Sequence, residues 1–304
     1  MRIFENANFK FVENRTRGYI VSGVLILASL MSLGIRGLEL GIDFRGGMEF
    51  AIETDSPLDA TEVRSGLGGI LGTEPEVKTF GSNALLIRTL PTAGISEMQN
   101  LVVTGFRSLY PDSNPVVLKT DVVGPRFAKD LARGAIYSIL GSLLVIFVYV
   151  LLRFEWRFGV GAVVALFHDV TITLGAFSAL HHILPFSLQI DQTLIAAFLT
   201  IVGYSLNDTV VVFDRIREYT GLFKTDAYHD VVNKSINNTL SRTIITSGTT
   251  LLVVLVLFIF GGEVLRGFAF ALMIGVLIGT YSSVFVAAPV VIELRDRFGK
   301  ATGR

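Results

Sequence analysis

Cysteine is absent from the 304-residue chain, tryptophan occurs once and proline only eight times. Without cysteine there is no disulfide framework, thiolate metal site or cysteine nucleophile, so any chemistry must rest on carboxylates, histidines, arginines or hydroxyls. Charge is scarce as well. Charged residues make up 17% of the chain, against roughly 25% in an average soluble protein. The 26 Lys and Arg balance the 26 Asp and Glu, which excludes a global field for attracting nucleic acid or acidic ligands. Apolar side chains are what the chain has in abundance: 51% of residues, with a mean hydropathy of +0.60.

A bilayer core about 30 Å thick needs roughly 20 mostly apolar residues per spanning helix. Four runs meet this outright: Gly18 to Ile35, Gly134 to Leu152, Thr243 to Gly262 and Gly267 to Ile292. Two more, Phe158 to Leu180 and Gln192 to Phe213, have the right length but each carries one acid, Asp169 and Asp208. Six spans are expected. A cleaved signal peptide fits the first poorly, because its 17-residue leader contains Glu5 and Glu13.

Short loops rich in Lys and Arg mark the cytoplasmic side. Arg2, Lys10, Arg15 and Arg17 precede span one; Arg153 and Arg157 join spans two and three; Arg215, Arg217, Lys224, Lys234 and Arg242 lie between four and five; Arg295, Arg297, Lys300 and Arg304 end the chain. The opposite side has only Arg266 in its short loops. Both termini are therefore expected in the cytoplasm, with residues 36–132 forming an extracytoplasmic domain. Its pattern reads strand Met48 to Glu53, helix Leu58 to Leu71, strands Glu76 to Phe80 and Ala84 to Arg88 around Gly81-Ser82-Asn83, helix Ser96 to Leu109 and strand Val116 to Val122. That βαββαβ order predicts a ferredoxin-like unit with both helices on one face of an antiparallel sheet.

Between spans four and five, within 214–242, Tyr228, Val231, Val232, Ile236, Thr239 and Leu240 recur at helical spacing. This predicts either a helix lying along the cytoplasmic interface or a connector packed on the bundle. Span six carries Gly267, Ala271, Gly275, Gly279 and Ser283 at four-residue intervals, and span two a shorter run of Gly134, Ser138 and Ser142. Small stripes permit close helix approach in lipid, where no hydrophobic force draws helices together.

A midspan Asp costs at least about 2.5 to 3.5 kcal/mol on insertion scales, so it persists only when paired, hydrated, protonated or useful. Span four presents Thr200, Tyr204 and Asp208 at four-residue intervals with Asn207 alongside; span five presents Arg242, Thr246 and Thr250. Because the spans run antiparallel, Asp208 is expected near Arg242, directly or through water. Separating such a pair changes a carboxylate's proton affinity, which is the physics of a proton relay; the alternative is a permanent pair that sets helix register. Asp169, beside His168, is either a second relay acid or an architectural group bonded to Thr171, Thr173 or a neighbouring helix. His181, His182 and Asp191 are expected to be solvated at the outer end, and no metal-ligand spacing appears.

Four strings share a family likeness. Gly41-Ile42-Asp43-Phe44-Arg45-Gly46-Gly47 follows span one, and Phe167-His168-Asp169-Val170 lies in span three. Gly203 to Glu218, with Asn207-Asp208-Thr209 within it, ends span four, and Asn233 to Thr243 leads into span five. Together they resemble the SecF family of bacterial protein-export membrane subunits over essentially the whole chain. Position 45 is Arg, where SecF sequences usually carry Thr. The Asn207-Asp208-Thr209 string and the single short exported domain favour SecF over the similar SecD.

The resemblance implies a six-span half of the resistance-nodulation-division (RND) architecture in the inner membrane, paired with SecD and assisting the SecYEG channel, with YajC as a further partner. It implies no cofactor. The proton-motive force would draw unfolded polypeptide outward, with Asp208 and Arg242 matching the family's proton-pathway acid and arginine and Asp169 its span-three acid. Gly41, Asp43, Gly46 and Gly47 match the family motif after span one. Two other classes compete: an RND-type half-transporter for lipid or small molecules, and an intramembrane aspartyl protease built on Asp169 and Asp208.

Overall fold

A computed structural model describes residues 8–298 apart from 74, 182, 185 and 187, so Arg2, Glu5, His182, Lys300 and Arg304 lie outside the described residues. Helix α1 (Arg15–Arg36) leads through a four-residue turn of helix, α2 (Ile42–Arg45), into an α/β domain. That domain comprises β1 (Gly47–Glu53), α3 (Ala60–Leu71), β2 (Glu76–Phe80), β3 (Ala84–Thr89), α4 (Ile95–Leu109) and β4 (Val116–Val123). Five long helical stretches follow: α5 (Pro125–Arg153), α6 (Trp156–Leu180), α7 (Gln192–Leu222), α8 (Tyr228–Phe260), and α9 (Gly262–Ser282), which continues through a π-helical turn at Ser283–Ala287 into α10 (Ala288–Phe298).

The sheet order is β2-β3-β1-β4 with every pairing antiparallel, which is the expected ferredoxin-like arrangement. Alternation along β1 sends Met48, Phe50 and Ile52 to one face, where they meet Val63 and Leu67 of α3 and Met98, Val102 and Phe106 of α4. The other face carries Glu49 and Arg88, paired across β1 and β3. Helix α3 starts where Asp59 accepts from the Thr61 and Glu62 amides, and ends at Gly72, which takes the left-handed conformation.

Among the described residues, six helices are long and apolar enough to cross a membrane. Helices α6, α7 and α9 occupy the inside of the bundle, while α1, α5 and α8 lie at its edge. Two glycines of the span-six stripe sit at a close helix contact. A Cβ on Gly275 would stand 2.4 Å from Ile201 Cγ1, and one on Gly279 3.0 Å from Ser205 Cβ, so α9 and α7 approach as closely as their backbones allow. Gly175 performs the same service for α6 against Ser29 of α1. The span-two stripe does not: Gly134 and Ser138 are exposed, and a Cβ on Gly134 meets nothing within 4 Å.

The interfacial helix between spans four and five needs correction. Residues 228–260 form one continuous helix about 50 Å long at 1.5 Å per residue, because no proline and no glycine before Gly248 interrupts it. Its first turns bury Val231, Val232, Ser235 and Ile236 against the bundle, which is the connector alternative. Tight reversal into α9 uses Gly262 at φ +72.

Candidate functional site

The Gly-Gly motif after α1 is a joint. Gly46 and Gly47 have φ of +77 and +151, and a Cβ on either would press on backbone, at Val123 O (3.2 Å) and Thr89 O (3.1 Å) respectively. Asp43 Oδ2 accepts from the Gln192 amide at 2.9 Å, and Asp191 accepts from the Leu194 amide at 2.7 Å. Two acids thus cap the amino end of α7, where the helix dipole favours negative charge. Gly41 donates its N–H to Ile190 O at 2.9 Å, and Leu40 bridges Ile190. The motif therefore seats the α/β domain on the helix that carries Asp208. Asp191 is consequently half-buried rather than solvated, and burial, with Asp43 adding to it, pushes its carboxyl above the ordinary carboxylate range despite the Leu194 N–H. His181 closes the end of α6 and is also half-buried.

Asp169 sits at the centre of a polar cluster contributed by four helices. Its Oδ2 accepts from Ser205 Oγ of α7 at 2.5 Å and from Ser282 Oγ of α9 at 2.8 Å, while Oδ1 lies 2.8 Å from His168 Nδ1. His168 Nε2 is 3.1 Å from Ser22 Oγ of α1, Ser22 is 3.1 Å from the Tyr281 hydroxyl, and Tyr281 donates to Gly18 O at 2.8 Å. Hydrogen-bond direction follows from the end of this chain. Because the Tyr281 proton goes to a carbonyl, Ser22 gives its proton to Tyr281 and accepts from His168 Nε2–H. Thr173 bonds the Asp169 backbone carbonyl, not its side chain.

Asp208, also buried, lies one turn beyond Ser205 on α7 and accepts from Ser247 Oγ of α8 at 3.3 Å; Thr280 of α9 donates to Ser247 at 2.7 Å. The expected contact with Arg242 is not an ion pair among the described residues, although the arginine's charge still reaches Asp208. The geometry explains this. Ser247 faces Asp208, and a residue five positions earlier on the same helix stands about 7.5 Å down the axis and about 140° around it. Arg242 is exposed. The Tyr204 hydroxyl, one turn above Asp208, and Thr243 Oγ1, one turn below Ser247, are buried without a hydrogen-bond partner among the described residues. Thr200 and Asn207 are exposed, and Thr200, Thr246 and Thr250 all bond to carbonyls of their own helices.

Sequence reasoning did not find Ser22, Ser205, Ser282 or Tyr281. Their signal was weak: single hydroxyls in apolar helices, with nothing to say which helix each would face. Asp169 and Asp208 do not share a hydrogen bond; each is satisfied by separate hydroxyls.

Six apolar helices, a ferredoxin-like insertion after the first and buried carboxylates in the bundle define an integral membrane protein with a polar cluster in its interior. The model for "Protein export membrane protein SecD/SecF, C-terminal" matches residues 106–297, and that for the "SecD/SecF GG Motif" matches residues 32–58. The chain belongs to the SecD/SecF family of protein-export membrane proteins. It is 69% identical to the protein translocase subunit SecF of Rhodothermus marinus, over 98% of this chain and 96% of that one. To SecF of Escherichia coli O157:H7 it is 39% identical, over 90% and 84% of the two chains. The crystal structure of SecDF from Thermus thermophilus, a translocon-associated membrane protein, superposes with a TM-score of 0.85 at 35% identity. That match takes in 98% of this chain, which spans 40% of the SecDF chain.

Proposed function

We propose that the chain works as the SecF half of a proton-driven translocase, joined to a SecD-type half and assisting a SecYEG-type channel in drawing unfolded polypeptide across the inner membrane. In this reading both termini are cytoplasmic and the α/β domain is extracytoplasmic; YajC is a further candidate partner. The observation that carries it is Asp208, a buried carboxylate with two hydroxyls nearby that lack a partner among the described residues, Tyr204 one turn away on α7 and Thr243 one turn from its partner Ser247 on α8. Tyr204 stands toward the outer end and Thr243 toward the inner, so water-borne protons have polar stations on both approaches.

Protonation of Asp208 removes its attraction for Arg242 and weakens its claim on Ser247. Ser247 is tied through Thr280 to α9, whose small-residue face slides against α7 at Gly275 and Gly279. Motion of α7 is passed to the α/β domain through Asp43 and Gly41, which hold the outer end of that helix. The His168–Asp169 pair lies one helix away, joined to α7 by Ser205. The exposed Thr200 and Asn207 belong to the face left for the second six-span half.

In proteoliposomes containing the full chain and its SecD-type partner, Asp208→Asn should abolish proton uptake reported by an internal pH dye while the two chains still co-purify. Undiminished uptake would falsify the relay. Separate hydroxyl partners for the two acids speak against a protease dyad, which needs carboxylates sharing one proton. An RND-type half-transporter remains the second reading, separated by whether purified complex moves lipid or polypeptide.

A further inference from the structure

We infer that the end of the bundle where α1 begins and α10 ends holds a binding site for the phosphate headgroup of an anionic phospholipid. Arg15 of α1 meets Glu293 of α10 at 3.0 Å, which marks that end. Beside it a cavity of about 520 Å³ opens between the α5–α6 turn, the tail of α7, the start of α8 and α10. Four guanidiniums line it, from Arg153, Arg157, Arg217 and Arg295, against a single lining carboxylate, Glu155.

The ion pairs compensate only two of these four charges. Arg153 is bound to Asp214 at 2.8 Å and Arg157 to Glu155 at 3.3 Å. Arg217 donates to the Arg153 carbonyl at 3.3 Å, and Arg295 lies over the Tyr228 ring at 3.7 Å. Neither has a carboxylate within 4 Å among the described residues. Arg157 adds a buried Nε with no hydrogen-bond partner among them. Guanidiniums present planar forks that fit phosphate oxygens, and clusters of them between helices at a membrane surface suit an anionic headgroup.

The walls favour a lipid over a soluble anion. Leu152, part of the lining, is 84% exposed at the end of an apolar helix. Trp156 and Phe298 stand beside the opening, both exposed and in edge contact at 6.1 Å, as interfacial aromatics do. A headgroup held by Arg217 and Arg295 would run its acyl chains over Leu152.

Trp156 is the only tryptophan, and it lies under Arg157 at 5.6 Å, so its fluorescence reports on the site. The full chain in neutral detergent would be titrated with mixed micelles of phosphatidylglycerol, with phosphatidylcholine micelles and with inorganic phosphate. Expected is a saturable change with phosphatidylglycerol alone, weakened about tenfold by Arg217→Gln and further by adding Arg295→Gln, with Arg297→Gln, outside the lining, unchanged. A response to phosphatidylcholine equal to that to phosphatidylglycerol, or one untouched by Arg217→Gln, overturns the site. An equal response to inorganic phosphate overturns the lipid as its ligand. Because Arg295 packs on Tyr228, its variant is judged only where circular dichroism matches the parent; Arg217→Gln alone decides otherwise.

Discussion

The α/β domain and the helical bundle of this chain solve burial in opposite ways. In the domain, large apolar side chains such as Phe50, Ile52, Ile87 and Phe106 fill the space between sheet and helices, and charge stays on the far face of the sheet as cross-strand pairs. In the bundle, glycine, alanine and serine line the closest helix contact, and the deepest groups include His168, Asp169, Thr173, Ser205 and Ser282. Water makes the difference. A domain in water gains by hiding hydrocarbon, whereas helices in lipid gain little from it and are held by close packing and hydrogen bonds.

Breaking each region by its own logic sharpens the contrast. The largest effect is expected in the domain: Phe106→Ala removes a fully buried ring and should cost about 3 to 5 kcal/mol, seen as rapid proteolysis between β1 and β4 while the long helices stay protected. In the bundle the damaging change runs from small to large. Gly275→Leu drives a side chain into Ile201 and should destabilise by about 1 to 3 kcal/mol in a detergent unfolding series. Gly23→Leu, where a Cβ meets nothing within 4 Å, should leave the midpoint unmoved; equal effects at the two glycines would show that close approach of α7 and α9 is not what holds the bundle.

Ser205→Ala is a gentler test. It takes one of two serine donors from Asp169 Oδ2, and membrane hydrogen bonds average about 0.6 kcal/mol, so a small shift in unfolding midpoint is expected. The smallest effect concerns pH at the surface. Hydrogen bonds from the Glu62 and Thr61 amides hold the Asp59 carboxyl below its usual range. A lowered carboxylate stabilises above its unfolded pKa of about 3.9 and loses that contribution as pH falls through the folded value. Amide protection at Thr61 and Glu62 should therefore fade first on acidification, with α6 and α9 amides unaffected; simultaneous loss in both would show that the two regions are not independent.

How legible each region was follows from the same physics. Strands β2 and β3 and helices α3 and α4 lie within two residues of their expected ends, since Asp59, Gly72 and the Gly81 turn mark boundaries locally. Around the buried acids, little beyond their existence was readable. The Arg242 contact was inferred from antiparallel order, yet five residues of helical rotation carry it away from Asp208, and the partner there is Ser247. Nothing in the spacing of Ser22 or Ser282 marks either as a partner of His168 or Asp169.

By itself the sequence determined six apolar spans, the order of the α/β elements and which carboxylates would be costly in a membrane, because each depends on local composition and period. Tertiary structure alone decided the partners of those carboxylates, the capping of α7 by Asp43 and the gathering of four arginines around one cavity. Such contacts join residues from separate helices, and their pairing depends on helix rotation and depth, quantities that no single stretch of chain encodes.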